Sequence, residues 1–548
     1  MLTRLKVKNY RSLEEVDIPL SPLTAIVGPN GAGKTTILRA IDLVLGDAWP
    51  SLRSFRIPQD FTNFETSREI EITLGFDQPY VHRDTVSKEH RITAMRLICK
   101  PYKRSGKWGE AGDLHVDLEP LNEIGKIPTV AVGQPVKGRS PQFGPLRVGT
   151  ELRDHVRVLF VDHRRSLAQH LPSVRGSILG RLLQTARKEF VGLNDFKKAY
   201  EAAMGFLRTE QVKIIEEIVA DTAKRMLGFL GGDVAKSLDI GLGFADPANP
   251  FNSLRLQYCE SGLAVPGEEL GLGIQSAMVV GIFEAYRQLG GNFGTIVIEE
   301  PEMYLHPQAQ RYFHRLLCEM SEKGQCQVIY ATHSPIFADV NRFEALRVVR
   351  REAGKPTRVA YVGQQLWVNL NEAKDAYKLG GRFDPARNEV LFARRALLVE
   401  GYGDRVAALM VAEKLGLDVD AEGLVVVDAG GKPGMELIIH VCRALDIPIV
   451  VLHDDDIWPT DQIADLAQGA KQEKENLAAR QLNERIKQAV GDDTRLFVIS
   501  PTLEHVLGIS RDAKDKPKRI HDALEDLDIQ NPPTGLRPLI SAVQAIKR

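Results

Sequence analysis

Hydrophobic residues follow three patterns along this chain, and each pattern predicts a different kind of element. Near the N-terminus, LTRLKVKN and REIEITLGF (68–76) alternate apolar and polar positions, as half-buried strands do. Between them, LTAIVG is a continuous apolar run that indicates a buried strand. Alternating strands on both sides of such a run predict an antiparallel sheet beside a parallel one. TIVIEE (295–300) and QVIYA (327–331) predict two further buried strands.

From about residue 163 to residue 235 the spacing changes. FKKAYEAAMGFLRTEQVKIIEEIVADTAKRMLGFL carries apolar residues three and four positions apart, with charges between them, which is typical of amphipathic helices. We expect a helical insert over 163–240, used for packing or dimerisation. It would divide one α/β unit into an N-terminal part (1–162) and a C-terminal part (241–370).

In the last third of the chain, strand-like and helix-like segments alternate. RALLVEG, LVVVDAGGK and PIVVLHDDD are strand-like runs, separated by the helix-like stretches DRVAALMVAEKLGL and MELIIHVCRAL. This βαβαβ order predicts a small parallel sheet with helices on its faces, over 394–548. A polar, aperiodic stretch containing KLGGRFDPARN predicts a linker over 371–393. The predicted fold class is therefore α/β throughout.

Composition excludes several classes of protein. The formal net charge of −1 gives no global attraction to nucleic acid, so any DNA contact must use local basic patches. The chain has five cysteines and no CxxC pair, which favours reduced thiols and a cytoplasmic location. The N-terminal segment has scattered charges rather than an apolar signal core, and no run of about 18 apolar residues predicts a membrane span.

GPNGAGKTT (28–36) is the first motif that indicates a chemical function. It follows a predicted strand, opens a predicted helix, and has the glycines and the Lys-Thr pair at the offsets of a P-loop. Glycines let backbone N–H groups surround phosphate oxygens, while the lysine reaches the β- and γ-phosphates and the threonine hydroxyl binds Mg²⁺. The predicted ATP-binding residues here are Asn30, Gly31, Gly33, Lys34, Thr35 and Thr36.

Further motifs occur in the order used by ABC-type ATPases, and this part of the chain resembles them. TIVIEEPEMYLHP resembles a Walker B strand, with Glu299 as the Mg²⁺-linked acid and Glu300 as the base that polarises water. His333 in YATHSP lies where the switch histidine senses the γ-phosphate. Glu299 replaces the usual aspartate, and its extra methylene moves the carboxylate by roughly 1.5 Å. The hhhEEPExxLHP form resembles the branch with recombination-type and OLD-type ATPases.

Two weaker matches complete the ATPase resemblance. LGLGIQSA (270–277) resembles an ABC signature, with Gly273 and Gln275 at matching positions and Leu272 where serine is usual. In that architecture the signature completes the nucleotide site of the opposite subunit, so the resemblance implies a head-to-tail dimer. Gln59 in RIPQDF is a candidate Q-loop glutamine.

Acidic residues follow all three predicted strands of the C-terminal region. Glu400 ends the first strand, Asp428 ends the second, and the triplet Asp454, Asp455 and Asp456 follows the third. The carboxyl ends of parallel strands open on one edge of the sheet, so these acids are predicted to converge there. The triplet alone is typical of a solvated turn, but in this setting it predicts a site for Mg²⁺ or Mn²⁺. If the strand stays extended, Asp454 and Asp456 share one side and Asp455 faces the other.

The E…DxD pattern resembles the Toprim domain of topoisomerases, primases and related nucleases. Toprim motifs match at Glu400, Gly403 and Asp404 and again at Asp454 and Asp456, and DAGGK lies between them. By this resemblance, Glu400, Asp404, Asp454 and Asp456 hold two metals, Glu400 alternatively acting as an acid–base. Glu504 matches a further acid whose other interpretation is a helix-start glutamate, and Lys514, Lys516 and Lys518 are candidates for a transition-state lysine or for DNA-backbone contacts.

An ABC ATPase followed by a Toprim domain resembles the OLD (overcoming lysogenization defect) nucleases and the Gabija ATPase-nuclease subunit. The resemblance implies an ATP-binding, metal-dependent DNA endonuclease in DNA processing or phage defence, with ATP and Mg²⁺ or Mn²⁺ as cofactors. It also implies DNA as a partner, a homodimer or higher oligomer, and leaves open a helicase partner. Alternatives are a repair-type DNA-binding ATPase with a non-catalytic Toprim domain, or a primase- or topoisomerase-like chemistry. The complete acid set argues against the first.

Overall fold

A computed structural model of the chain describes most of its residues. The described ranges are 1–46, 48–101, 103–104, 107–108, 114–132, 142–156, 158–161, 177–183, 210–228, 239–244, 254–260, 263–289, 294–352, 354–362, 385–459, 466–510 and 513–547. The chain separates into two compact units. The first comprises 1–26, 30–337 and 349–359, and the second comprises 27–29, 338–348 and 360–548.

An antiparallel sheet occupies the N-terminal part, as the alternating pattern predicts. Its strand order is β2-β1-β4-β5-β8. In β1 the buried residues Leu5 and Val7 alternate with exposed residues, because successive side chains of a strand face opposite sides of the sheet. The strands are β1 (Leu2–Tyr10), β2 (Leu13–Pro19), β4 (Ile70–Arg83), β5 (Glu89–Pro101) and β8 (Leu114–Leu121).

A second sheet carries the nucleotide motifs. It has the order β11-β15-β16-β3-β17-β18, and β11, β15 and β16 are parallel. Every residue of β15 and β16 is buried, which explains their unbroken apolar runs. The strands are β3 (Leu23–Val27), β11 (Val158–Val161), β15 (Thr295–Glu299), β16 (Gln327–Thr332), β17 (Leu346–Arg350) and β18 (Arg358–Tyr361).

The first unit also contains smaller sheets and six helices among its described residues. The smaller strands are β6 (Lys103–Arg104), β7 (Lys107–Trp108), β9 (Thr129–Val132), β10 (Gln142–Pro145), β12 (Asp239–Phe244), β13 (Leu254–Glu260) and β14 (Leu263–Pro266). The helices are α1 (Lys34–Leu45), α2 (Thr150–His155), α3 (Ile178–Leu182), α4 (Glu210–Gly228), α5 (Leu272–Leu289) and α6 (Pro307–Glu322).

The described part of the predicted insert contains α3 and α4, and its remaining stretches lie outside the described residues. Val212, Ile215 and Val219 on α4 are buried within this single chain. A Cβ added to Gly281 of α5 would lie 3.0 Å from Val219 Cα, so the two helices approach each other closely. Val212, Ile215 and Val219 of α4 are therefore covered by their own unit.

A four-stranded parallel sheet forms the centre of the second unit, as the βαβαβ pattern predicts. Its order is β20-β19-β21-β22. The strands are β19 (Arg395–Val399), β20 (Leu424–Asp428), β21 (Ile449–Asp454) and β22 (Leu496–Ile499). The helices are α7 (Pro385–Asn388), α8 (Tyr402–Lys414), α9 (Lys432–Ala444), α10 (Leu466–Val490), α11 (Leu503–Val506), α12 (Lys516–Glu525) and α13 (Arg537–Lys547).

Residues 385–391, within the predicted linker, form α7 and a 3-10 turn, while 371–384 lie outside the described residues. Across the ranges that the structure describes, no helix combines the length and apolarity needed to span a membrane.

Candidate active sites

The P-loop is shaped by its glycines and by a threonine from a distant strand. Gly31 and Gly33 have φ values of 73° and 115°, a backbone conformation that favours glycine, and α1 begins directly afterwards at Lys34. The Thr357 hydroxyl donates to the Ala32 carbonyl at 2.9 Å. A Cβ on Gly33 would lie 3.0 Å from Thr357 Oγ1, so a side chain at this position would be crowded as well as strained by the positive φ. Asn30 and Gly31 are exposed at the loop tip, Thr35 is half-buried and Thr36 is buried.

Lys34 lies at the centre of the predicted catalytic groups. Its Nζ is 3.4 Å from His333 Nδ1, and His333 Nε2 is 3.7 Å from Glu300 Oε1. Burial lowers the pKa of Lys34 to about 8, opposed by the charges of Glu300, Glu302 and Glu299. Burial and the Lys34 charge also lower the pKa of His333, so the imidazole tends to be neutral. The structure therefore brings together Lys34, Glu299, Glu300 and His333.

Glu302, the third glutamate of EEPE, holds His333, the predicted switch histidine, and the sequence did not suggest this role for it. Its carboxylate accepts hydrogen bonds from the backbone N of His333 at 2.6 Å, the backbone N of Ser334 at 3.1 Å and the Thr332 hydroxyl at 2.8 Å. Burial raises the pKa of Glu302, while these hydrogen bonds oppose the rise. The acid joins the end of the Walker B segment to the end of β16 and thereby orients His333.

The predicted signature and Q-loop residues lie apart from this group of contacts. Gln275 is 3% exposed and donates to the Leu270 carbonyl at 2.8 Å. Its amide is turned into its own unit rather than towards solvent. Gly273 lies at the start of α5, beside the exposed Leu272. Gln59 is exposed, and within the described ranges no hydrogen bond joins it to the P-loop.

The predicted nuclease acids gather at the carboxyl edge of the parallel sheet. Glu400 directly follows β19, Asp454 ends β21, and Asp404 lies in the first turn of α8. Asp404 accepts from Gly401 N at 2.9 Å, and Asp454 accepts from Leu503 N at 3.1 Å. Parallel strands place these acids together although more than fifty residues separate Glu400 from Asp454.

The acids of the cluster raise one another's pKa. Burial raises the pKa of Glu400 to about 7; Lys432 opposes this rise, while Asp456 and Asp404 add to it. Burial and the neighbouring acids also raise the pKa of both Asp404 and Asp454. When these carboxyl groups are ionised they repel one another, and a divalent cation bound between them would offset that repulsion.

The aspartate triplet does not stay extended. The prediction that Asp454 and Asp456 face the same side required an extended strand, and that condition is not met. β21 ends at Asp454, and Asp456 has a φ of 56°. The chain turns, yet the Asp456 carboxylate still faces the cluster, because its Oδ2 lies 2.5 Å from Lys432 Nζ. The Asp455 carboxylate instead accepts a hydrogen bond from the backbone N of Ile457, two residues further on, at 2.9 Å, so it supports the loop.

Glu504 and one of the candidate lysines complete the surroundings of the cluster. Lys516 Nζ lies 3.3 Å from Glu504 Oε1, and the Glu504 charge contributes to the raised pKa of Asp404. Lys514 and Lys518 are exposed. Among the three candidates, Lys516 is therefore the one paired to an acid of the cluster.

The donor chemistry fits a hard divalent cation, since the cluster offers several carboxylates and a buried Glu400 Oε2 that accepts no hydrogen bond from the described residues. Within those same residues, no three acids, histidines or cysteines form a ready-made ligand set. Lys432, which the sequence had left without a role, holds Asp456 and lies 4.0 Å from Glu400 Oε2.

A P-loop ATPase and a Toprim-type acid cluster in one chain define an ATP-using, metal-dependent nuclease. The comparisons agree with this class. The AAA ATPase domain family matches residues 1–117 and 159–338, and the overcoming lysogenization defect protein-like TOPRIM domain matches residues 391–456.

Full-length relatives identify the family. An OLD nuclease of Thermus scotoductus is 62% identical over 548 residues, covering 100% of this chain and 99% of that protein. Endonuclease GajA of Bacillus cereus is 21% identical over 490 residues, 83% of this chain and 75% of that protein. The Rad50 double-strand break repair ATPase of Methanopyrus kandleri is 28% identical over 221 residues, 39% of this chain and 21% of its own.

The chain belongs to the OLD nuclease family. It is an ATPase and an ATP-dependent DNA nuclease that uses ATP and a divalent metal, which confirms the predicted function. The sheets described above and the two family matches confirm the predicted α/β fold class.

Proposed function

We propose that this chain is a DNA endonuclease whose Toprim acids bind two Mg²⁺ or Mn²⁺ ions. The grouping of Glu400, Asp404, Asp454 and Asp456 at one sheet edge is the observation that carries this proposal. In such sites the metals supply a water of lowered pKa and stabilise the leaving oxygen. The four carboxylates hold the ions, Glu504 and Lys516 flank them, and Asp455 braces the loop.

The ATPase half controls the chemistry in this proposal. Lys34 binds the β- and γ-phosphates, Glu299 serves the nucleotide's Mg²⁺, and Glu300 orients the attacking water. His333, held by Glu302, lies next to both Lys34 and Glu300 and can respond to the γ-phosphate. Dimerisation through the ATPase heads is favoured over dimerisation through α4, because the apolar face of α4 is already buried. A role in phage defence, a helicase partner and a cytoplasmic location remain part of the proposal.

Plasmid nicking by purified full-length protein tests the nuclease site. Glu400→Ala and Asp454→Ala should each abolish Mg²⁺- or Mn²⁺-dependent nicking while leaving ATP hydrolysis near the wild-type rate. Asp492→Ala is a matched control, because Asp492 is a half-exposed acid of the same domain that bonds Thr494. Retained nicking in both site variants would refute the assignment.

A further inference from the structure

Lys432 is a lysine in an unfavourable place. It is 4% exposed and is the first residue of α9, where the helix dipole is positive and disfavours a cation. A buried ammonium is unfavourable without compensating charge, so Lys432 needs negative partners. Asp456 Oδ2 at 2.5 Å and Glu400 Oε2 at 4.0 Å provide them.

The local backbone delivers the ammonium to this position. Gly430 and Gly431 have φ values of 69° and 104°, and this tight turn leads straight into α9. The turn is tied to the end of β19, because Gly431 N donates to the Glu400 carbonyl at 2.9 Å. Lys432 is therefore built into the same sheet edge as the acids and is not a flexible surface residue.

The ammonium affects the ligand set directly. Asp456 pairs with Lys432, and in the described part of the chain no three acids, histidines or cysteines form a ready-made ligand set. Without Lys432, Glu400 and Asp456 would lose the cation that lies next to them, and Lys516, which pairs with Glu504, would not replace it. A monovalent ammonium neutralises part of the negative charge of the carboxylates, whereas a divalent metal neutralises more of it.

We propose that the Lys432 ammonium is the internal cation of the metal-free nuclease site, and that a divalent metal gains Asp456 only by displacing it. Lys432 is thus a positioning residue that keeps the acids together before metal binds and weakens metal binding in return. This inference rests on the nuclease site proposed above. It adds a competition between an ammonium and a metal that the acid motif alone does not imply.

Calorimetric titration of Mn²⁺ into the full-length protein, without DNA or nucleotide, tests the competition. Lys432→Met should bind Mn²⁺ at least tenfold more tightly than wild type, and Lys432→Gln provides the same comparison if the Met variant does not fold. Lys432→Arg keeps the charge and should not tighten binding. Lys414→Met is the matched control and should bind as wild type does, because Lys414 donates to the Glu525 carbonyl at 2.6 Å, away from the acids.

Thermal unfolding separates this role from a structural one. In EDTA, Lys432→Met should melt below wild type, and saturating Mn²⁺ should restore most of the loss. Equal losses with and without Mn²⁺, together with unchanged Mn²⁺ affinity, would overturn the inference. If wild type itself showed no Mn²⁺ binding that Asp454→Asn removes, the proposed nuclease site would fail instead, so the two failures can be told apart.

Discussion

Glu302 accepts a hydrogen bond from the backbone N of His333 at 2.6 Å. This contact joins the Walker B segment to the switch loop, and the same carboxylate also receives Ser334 N and the Thr332 hydroxyl. The position of His333, the proposed γ-phosphate sensor, thus depends on an acid that makes no hydrogen bond to Lys34 or Glu300 among the described residues. Loss of this acid should affect turnover more than nucleotide binding.

We predict that Glu302→Ala lowers the ATPase kcat by about tenfold or more, because about 1.4 kcal/mol of lost positioning suffices for that change. Glu302→Gln retains one acceptor oxygen and should lose less. ATP affinity should change little in either variant. Steady-state ATPase kinetics and ATP-binding titrations measure the two effects. Glu352→Ala is the control, since this exposed acid pairs with the nearby Lys355; an equal loss of kcat there would contradict the assignment.

Lys34→Ala should separate the two activities. The variant loses the ammonium that binds the phosphates, so ATP hydrolysis should fall by about 100-fold or more. Its metal-dependent DNA nicking in the absence of ATP should equal that of wild type without ATP, because the nuclease acids belong to the other compact unit. Phosphate release measures ATP hydrolysis and plasmid nicking measures the nuclease activity, both on the same preparation. Substantial ATP turnover in the variant would rule out the P-loop assignment.

The acid cluster predicts an unusual pH dependence of stability in the absence of metal. The folded protein raises the pKa of Glu400 from 4.5 to about 7, so between these values the folded state binds more protons than the unfolded state. Stability should therefore fall as pH rises from about 4.5 to about 7, opposite to the behaviour of a salt-bridged carboxylate. The raised pKa values of Asp404 and Asp454 act in the same direction.

Thermal unfolding in EDTA across this pH range measures the effect. Glu400→Gln removes one titrating group and should flatten the slope, and added Mn²⁺ should reverse the loss at pH 7. A melting temperature that rose steadily from pH 4.5 to pH 7 in EDTA would contradict the raised pKa values.

The sequence predicted the sheets and the acid edge because both depend on regular patterns. Apolar runs such as those of β15 and β16 mark buried parallel strands, and parallel strands bring their carboxyl ends together whatever their separation along the chain. Periodicity carries no information about long-range polar contacts. The bond between Glu302 and His333 and the pairing of Lys432 with Asp456 therefore came only from the structure.

The end of the triplet illustrates the same limit. Strand geometry assigned Asp454 and Asp456 to one side through an extended backbone, but β21 ends at Asp454 and the chain turns with a left-handed Asp456. Asp456 N donates to the Pro501 carbonyl and Asp455 N to the Ile499 carbonyl, so a neighbouring segment fixes the turn. That segment lies more than forty residues away, beyond the reach of local spacing.

Two asparagines of α10 hold the loop that follows the triplet. Asn476 and Asn483 are seven residues, about two turns, apart, so they share one helix face. Asn476 accepts from Trp458 N at 3.0 Å and donates to the Trp458 carbonyl at 2.8 Å, as a second strand would. Asn483 donates to the Asp455 carbonyl at 2.7 Å. Both contacts fix the backbone that carries Asp456.

We predict that Asn476→Ala lowers the free energy of unfolding by about 1–3 kcal/mol, because it removes the two hydrogen bonds that Asn476 makes with the half-buried backbone of Trp458. It should also raise the Mn²⁺ concentration needed for half-maximal nicking, since the loop with Asp456 is no longer fixed. Asn483→Ala breaks one bond and should cost less stability while raising the metal requirement similarly. Asn531→Ala, which removes an exposed 3.4 Å contact with Asp528, is the control. A metal requirement in Asn476→Ala equal to that of the control would show that the loop holds its shape without α10.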